Sequence, residues 1–173
     1  MSEIVLSAVP LSAQAFAPFG DVIETEGRGW RWVNQGTSQR FDDLARVDVL
    51  ESGGRPLISI FRASPQPLPF DVRSLERHPL SCQSFYPLDA RPFLVIVAEQ
   101  GSAPIEQRIR AFMSSGRQGV NYHRNTWHHS LIALGQTSDF LVIDRGGPEE
   151  NCEQISLGAD RVRVTTAWSG SQR

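Results

Sequence analysis

Apolar positions along the chain fall in short runs separated by turn residues. β-Branched and aromatic side chains gather at residues 30–34, 57–62, 82–86, 93–98, 121–122, 127–133, 140–144 and 161–165, and each run has a length typical of a strand. The 14 Gly and 11 Pro spread between them leave little uninterrupted room for long helices. Two short helices are predicted, one capped by Ser12 and running to about residue 16, the other opened by Pro104 and running to about residue 110. Two runs, FLVIVA at 93–98 and FLVID at 140–144, are apolar at nearly every position, so both are expected to be covered on both faces. The pattern predicts a mainly β protein, a barrel or sandwich.

At 173 residues the chain is long enough for one domain with its own core, and it shows no internal repeat or linker. The polar end WSGSQR at 168–173 is expected to fray. A net charge of −2 offers no electrostatic footprint for nucleic acid, and no apolar run approaches a membrane span. No basic, then apolar, leader opens the chain, and Cys82 and Cys152 stand in no ligand-like spacing. These features predict a cytoplasmic protein with reduced thiols and a small-molecule partner.

Candidate chemistry concentrates in GVNYHRNTWHHSLIALGQTSDFLVIDR at 119–145, where His123, His128 and His129 lie within seven residues. A core has no need of such a cluster, because each buried imidazole must find polar partners. On one regular strand Thr126, His128, Ser130 and Ile132 share one face, and Trp127, His129 and Leu131 share the other. The first face is the more polar, so His128 is assigned to a pocket and His129 to a structural or interfacial role.

The spacing from His123 to His128 resembles the second motif of the cupin superfamily, Pro-x-Gly-x-x-His, with His123 and Asn125 in place of Pro and Gly. Upstream, Glu76, His78 and Gln83 in ERHPLSCQSFYPL fall at the spacing of the first cupin motif. Together the motifs imply a cupin-type β-barrel, a jelly-roll sandwich with a few short helices. The resemblance extends further. FGDVIET at 19–25, RFDDLA at 40–45, LISIFRA at 57–63, LERHPLSCQSFYPL at 75–88, GVNYHRNTWHH at 119–129 and DFLVIDRGG at 139–147 resemble the ureidoglycolate lyase family over nearly the whole chain. That likeness implies cleavage of ureidoglycolate to glyoxylate and urea in allantoin degradation, a homodimer, and a divalent metal, nickel being the one usually named.

The implied substrate makes chemical demands on the residues. Ureidoglycolate is a hemiaminal bearing a carboxylate, so a base removes the hydroxyl proton, the carbonyl forms, and an acid protonates the leaving nitrogen. His128 is the preferred base and His123 the preferred acid, although the reverse fits the sequence equally well. For the carboxylate an arginine fork is best shaped, with Arg62 preferred over Arg124 and over Arg77, which points opposite to Glu76 and His78 on an extended segment. Gln83 and Tyr122 can hold the ureido group. Glu76, His78, Gln83 and His128 supply a ligand set suited to a borderline divalent ion, yet the same groups fit a metal-free pocket that binds substrate directly.

Other features are explained more simply. Asp42 with Asp43 reads as a turn or solvated edge, DRGG at 144–147 as a turn, and Trp30, Trp32, Phe85 and Trp127 as core or dimer contacts. Two other functions stay open: an amidohydrolase releasing ammonia from ureidoglycolate, and a non-catalytic cupin that binds a small carboxylic acid.

Overall fold

The structure, a computed structural model, describes residues 3–158 and 161–166; the 168–173 end lies outside them. It is a cupin-type β sandwich with two smaller sheets, one of three strands and one of two. One layer is an antiparallel sheet of five strands in the order Gly20–Ile23, Gly119–Tyr122, Gln83–Pro87, Ser138–Gly146 and Arg55–Ala63. The facing layer runs Glu153–Ser156, Ser74–Arg77, Trp127–His128, Phe93–Ala98, Arg110–Met113 and Val9–Pro10, and Ile132–Leu134 also pairs with Phe93–Ala98. Between them Phe16, Phe85, Val95, Val97, Val120, Phe140 and Val142 form the sandwich core. Each such side chain contributes roughly 1.5–3 kcal/mol by leaving water.

The strand Phe93–Ala98 explains its own unbroken apolar sequence. Phe93, Val95 and Val97 face the sandwich core, whereas Leu94, Ile96 and Ala98 face a second core with Val72, Val162 and Val164. Those three come from the small sheet in which Arg161–Thr165 lies between Glu3–Ser7 and Phe70–Val72. The other apolar run behaves differently. Its strand extends over Ser138–Gly146, and there Phe140 and Val142 are buried while Leu141 and Ile143 are only half-covered.

The strand expected over 127–133 is broken. Val97 lies opposite His128, but Leu94 lies opposite Ile132. Three steps on one strand face four on the other, which is a β-bulge. The extra residue inverts the alternation, so His128 sits on the side of Val97 while Ile132 joins the second core. The predicted grouping of His128 with Ser130 and Ile132 therefore fails beyond His128. The helix capped by Ser12 forms at Ala13–Phe16, with Ser12 Oγ accepting from the Ala15 amide. The one expected over 104–110 is replaced by a single 3-10 turn, Glu106–Arg108, and the strand Arg110–Met113, because Ile109 and Phe112 are drawn into different cores.

Candidate functional site

Three adjacent pieces of backbone bring the polar cluster together. Glu76 stands opposite His128 in antiparallel register, His78 follows the Glu76 strand directly, and Gln83 opens the facing strand Gln83–Pro87. One ligand atom each from Glu76, His78 and His128 lies within 4.8 Å of the others. Gln83 Oε1 is 3.1 Å from His78 Nε2 and 3.3 Å from His128 Nε2. The turn that delivers His128 uses Asn125 at φ 66°, the backbone conformation for which the related motif carries Gly.

Backbone carbonyls fix the state of both histidines. His78 Nδ1 lies 2.7 Å from the Asn151 carbonyl and His128 Nδ1 lies 2.9 Å from the Thr126 carbonyl. A carbonyl only accepts, so each Nδ1 carries a proton, and in the neutral imidazole this leaves the Nε2 lone pair facing the cluster. Two Nε2 lone pairs, the Gln83 oxygen and the Glu76 carboxylate thus converge with no proton assigned among them. A divalent cation completes such an all-acceptor set, and the fixed second nitrogen is the usual support of a ligating imidazole. Burial, helped by the neighbouring His78, pushes the His128 pKa down to about 3. Its imidazole therefore stays neutral near pH 7 and suits a ligand better than a proton acceptor. Tyr122 stacks on it with ring centroids 4.1 Å apart and packs into the sandwich core; burial raises the phenol pKa.

A cleft of about 270 Å³ opens beside the cluster, with His78, Gln83, Asp144, Arg145, Asn151 and Cys152 in its wall. Arg145 is 9% exposed, and its guanidinium donates only to carbonyls, those of Glu51, Ser52 and Pro148. The charge thus has neutral partners and no carboxylate among the described residues. Gly54 makes room for it, since a Cβ there would lie 2.4 Å from Arg145 Nε. Asn151 holds the loop after His78 by accepting from the Leu80 amide and donating to Ser81 Oγ.

Not all expected residues join the cleft. His123 is half-buried, with Nε2 3.2 Å from Asp21, and it lines a different cleft with Arg46, Asp48, Cys82 and Arg124. Arg124 is held by Asp48 and Glu51. Arg62 lies on the outer face of the five-stranded sheet, three-quarters exposed and bound through two nitrogens to Asp139. Strand register puts it there: Arg62 pairs with Asp139, one step from the inward Phe140. Arg77 turns away as alternation predicts, to Glu153 and onto the Trp127 ring. His129 leaves on the face opposite His128 and packs against Phe70. Asp144 and Arg145 were missed because DRGG reads as a turn, and Asn151 stands in the loop after it, where no pattern marks it. A signal existed, since period two places Asp144 on the inward face of Phe140 and Val142.

A β sandwich that gathers two histidines and a glutamate beside a cleft defines a cupin with a small-molecule site. The comparisons specify which one: residues 3–165 match the family model described as ureidoglycolate lyase. Proteins named ureidoglycolate lyase from Burkholderia mallei (strain NCTC 10229), Brucella anthropi and Pseudomonas putida (strain W619) are similar at 55%, 51% and 51% identity. These alignments cover 88%, 91% and 90% of this chain and 89%, 92% and 93% of the respective relatives. The chain belongs to the ureidoglycolate lyase family.

Proposed function

We propose that this chain splits ureidoglycolate into glyoxylate and urea, a step of allantoin degradation. The reading rests on family membership together with the convergence of Glu76, His78, Gln83 and His128 beside a cleft. In this reaction the hydroxyl oxygen loses a proton and becomes the glyoxylate carbonyl. The carbon–nitrogen bond breaks, and the ureido nitrogen takes its electron pair and a proton. One proton moves net between two atoms of the same molecule, so the cleft must hold both atoms near one carrier. A distant acid such as His123 is unnecessary.

Glu76, His78 and His128, with Gln83 beside them, would hold a divalent ion, and nickel suits a site of two imidazoles, one carboxylate and one amide oxygen. Such an ion would supply Lewis-acid polarisation of a substrate oxygen. Arg145, with no acidic partner among the described residues and in the cleft wall, would draw the substrate carboxylate by its charge in place of Arg62. Ile58 and Ile60, 76% and 54% exposed, extend the half-covered Leu141 and Ile143 into an apolar face that a second copy would cover. Cys82 and Cys152, both free, suit a cytoplasmic setting.

The deciding experiment supplies ureidoglycolate to the purified protein with and without added nickel and measures products. Stoichiometric glyoxylate and urea are expected. Ammonia and carbon dioxide in place of urea would mean an amidohydrolase, and carboxylate binding without turnover would mean a binding protein. Light scattering on the same sample checks for the dimer.

A further inference from the structure

The cleft wall contains one anomaly. Oδ1 of Asp144 is shut off from solvent and receives no hydrogen bond, alone in this among the buried side-chain oxygens and nitrogens of the described residues. A carboxylate oxygen without a donor is costly, and its neighbours do not relieve it. Asp144 is also outside the Glu76–His78–His128 group, so a cation held there is not its evident partner. Its place on the strand Ser138–Gly146, one residue before Arg145, is set by pairing with Leu57.

We propose that the Asp144 carboxylate receives the ureido arm of the substrate and makes the site selective for it. This inference rests on the ureidoglycolate reading. A ureido group presents two parallel N–H bonds, one from each nitrogen, on the side away from its carbonyl. Two carboxylate oxygens accept such a pair in the same forked manner in which they accept a guanidinium edge. Aspartate χ2 is a broad torsion, so a small rotation turns Oδ1 toward these donors. Binding then satisfies the orphaned oxygen. Arg145 fixes the polarity of the bound molecule: the substrate carboxylate is drawn to the guanidinium and repelled by Asp144, which leaves the ureido end for Asp144. One of the two nitrogens so held is the leaving nitrogen, and Asp144 therefore sets its position relative to the cluster. An ester or simple acid of the same length offers no such donor pair.

The test uses two unreactive ligands. Ureidoacetate keeps the carboxylate and the ureido arm but lacks the hydroxyl; glycolate keeps the carboxylate and hydroxyl but lacks the ureido arm. Binding of each to the nickel-supplemented protein is measured by calorimetry for wild type and Asp144→Asn, which preserves shape and turns an NH2 toward the ureido donors. Ureidoacetate should weaken on the order of ten- to a hundredfold and glycolate by less than about threefold. Equal weakening of both, or of neither, overturns the assignment, as does a fall in kcat with ureidoacetate affinity intact. Asp144→Ser provides the same comparison if the Asn variant does not fold. Wild-type turnover of ureidoglycolate is followed in parallel: its absence would count against the lyase reading, whereas the binding comparison judges Asp144 without any turnover.

Discussion

The two clefts meet along the segment 81–83, where Ser81 and Gln83 line the first and Cys82 the second, and both contain histidine and arginine. In and beside the first, His78, His128 and Arg145 are all tied to backbone carbonyls, those of Asn151, Thr126, Glu51, Ser52 and Pro148. In the second, His123 meets Asp21 and Arg124 meets Asp48 and Glu51. A carbonyl orients a basic group without neutralising it. A carboxylate orients it and also cancels its charge. The first cleft therefore keeps two lone pairs and one positive charge available to a ligand, while the second has committed its basic groups already. Residue type alone does not distinguish the two clefts; the partners do.

Removing His128 should have the largest effect. His128→Ala is expected to lose about a hundredfold or more in urea production and to retain less nickel, because a ligand and its fixed tautomer vanish together. Metal content per folded chain and the rate of urea release check this. A pH arm sharpens it. The His128 pKa is about 3 in the folded chain against an ordinary 6.5, so between these values the unfolded state binds more protons. Stability of the metal-free protein should fall as pH drops from 6.5 toward 3, and His128→Ala should lack that part of the fall. Equal slopes in thermal melts of the two proteins would contradict it.

Arg145→Lys comes next. Lysine keeps the charge but loses the planar fork that reaches three carbonyls and a ligand at once. KM for ureidoglycolate should rise roughly tenfold, with a smaller change in kcat. Unchanged KM in a well-folded variant would send the search for the carboxylate anchor elsewhere in the cleft.

Much of this was legible in the sequence. An unbroken apolar run bounded by turn residues located the Phe93–Ala98 strand residue for residue, and motif spacing assembled Glu76, His78, Gln83 and His128. What was hidden has physical causes. A bulge after His128 is a register event set by the partner strand, and no local pattern announces it. The runs 93–98 and 140–144 look alike, yet one lies between two cores and the other on an outer sheet, a difference of topology. Counterions are equally nonlocal: Asp21 is about a hundred residues from His123, and Asp139 is 77 residues from Arg62. A choice among arginines made from sequence therefore cannot weigh the partners that hold each one.

His123→Ala should then be mild. Its ring is half-buried, within 3.2 Å of Asp21 and turned to the second cleft, so kcat/KM should change by less than about threefold. A loss comparable to that of His128→Ala would make the second cleft part of the chemistry and erase the contrast between them.

Arg62→Lys should have the smallest effect of all. Its guanidinium is three-quarters exposed and already bound to Asp139, whose carboxyl pKa the pair holds below the usual range. Exposed pairs of this kind contribute little, because water screens the charges and ordering two side chains opposes the gain. Lysine can still reach Asp139, so turnover should stay within about twofold of wild type and the melting temperature should barely move. One outcome would revise the picture. If Arg62→Lys markedly impairs turnover while remaining folded, the outer face of the five-stranded sheet must approach a reacting site. Within one chain it faces away, so that site would belong to the second copy across the apolar face of Ile58 and Ile60.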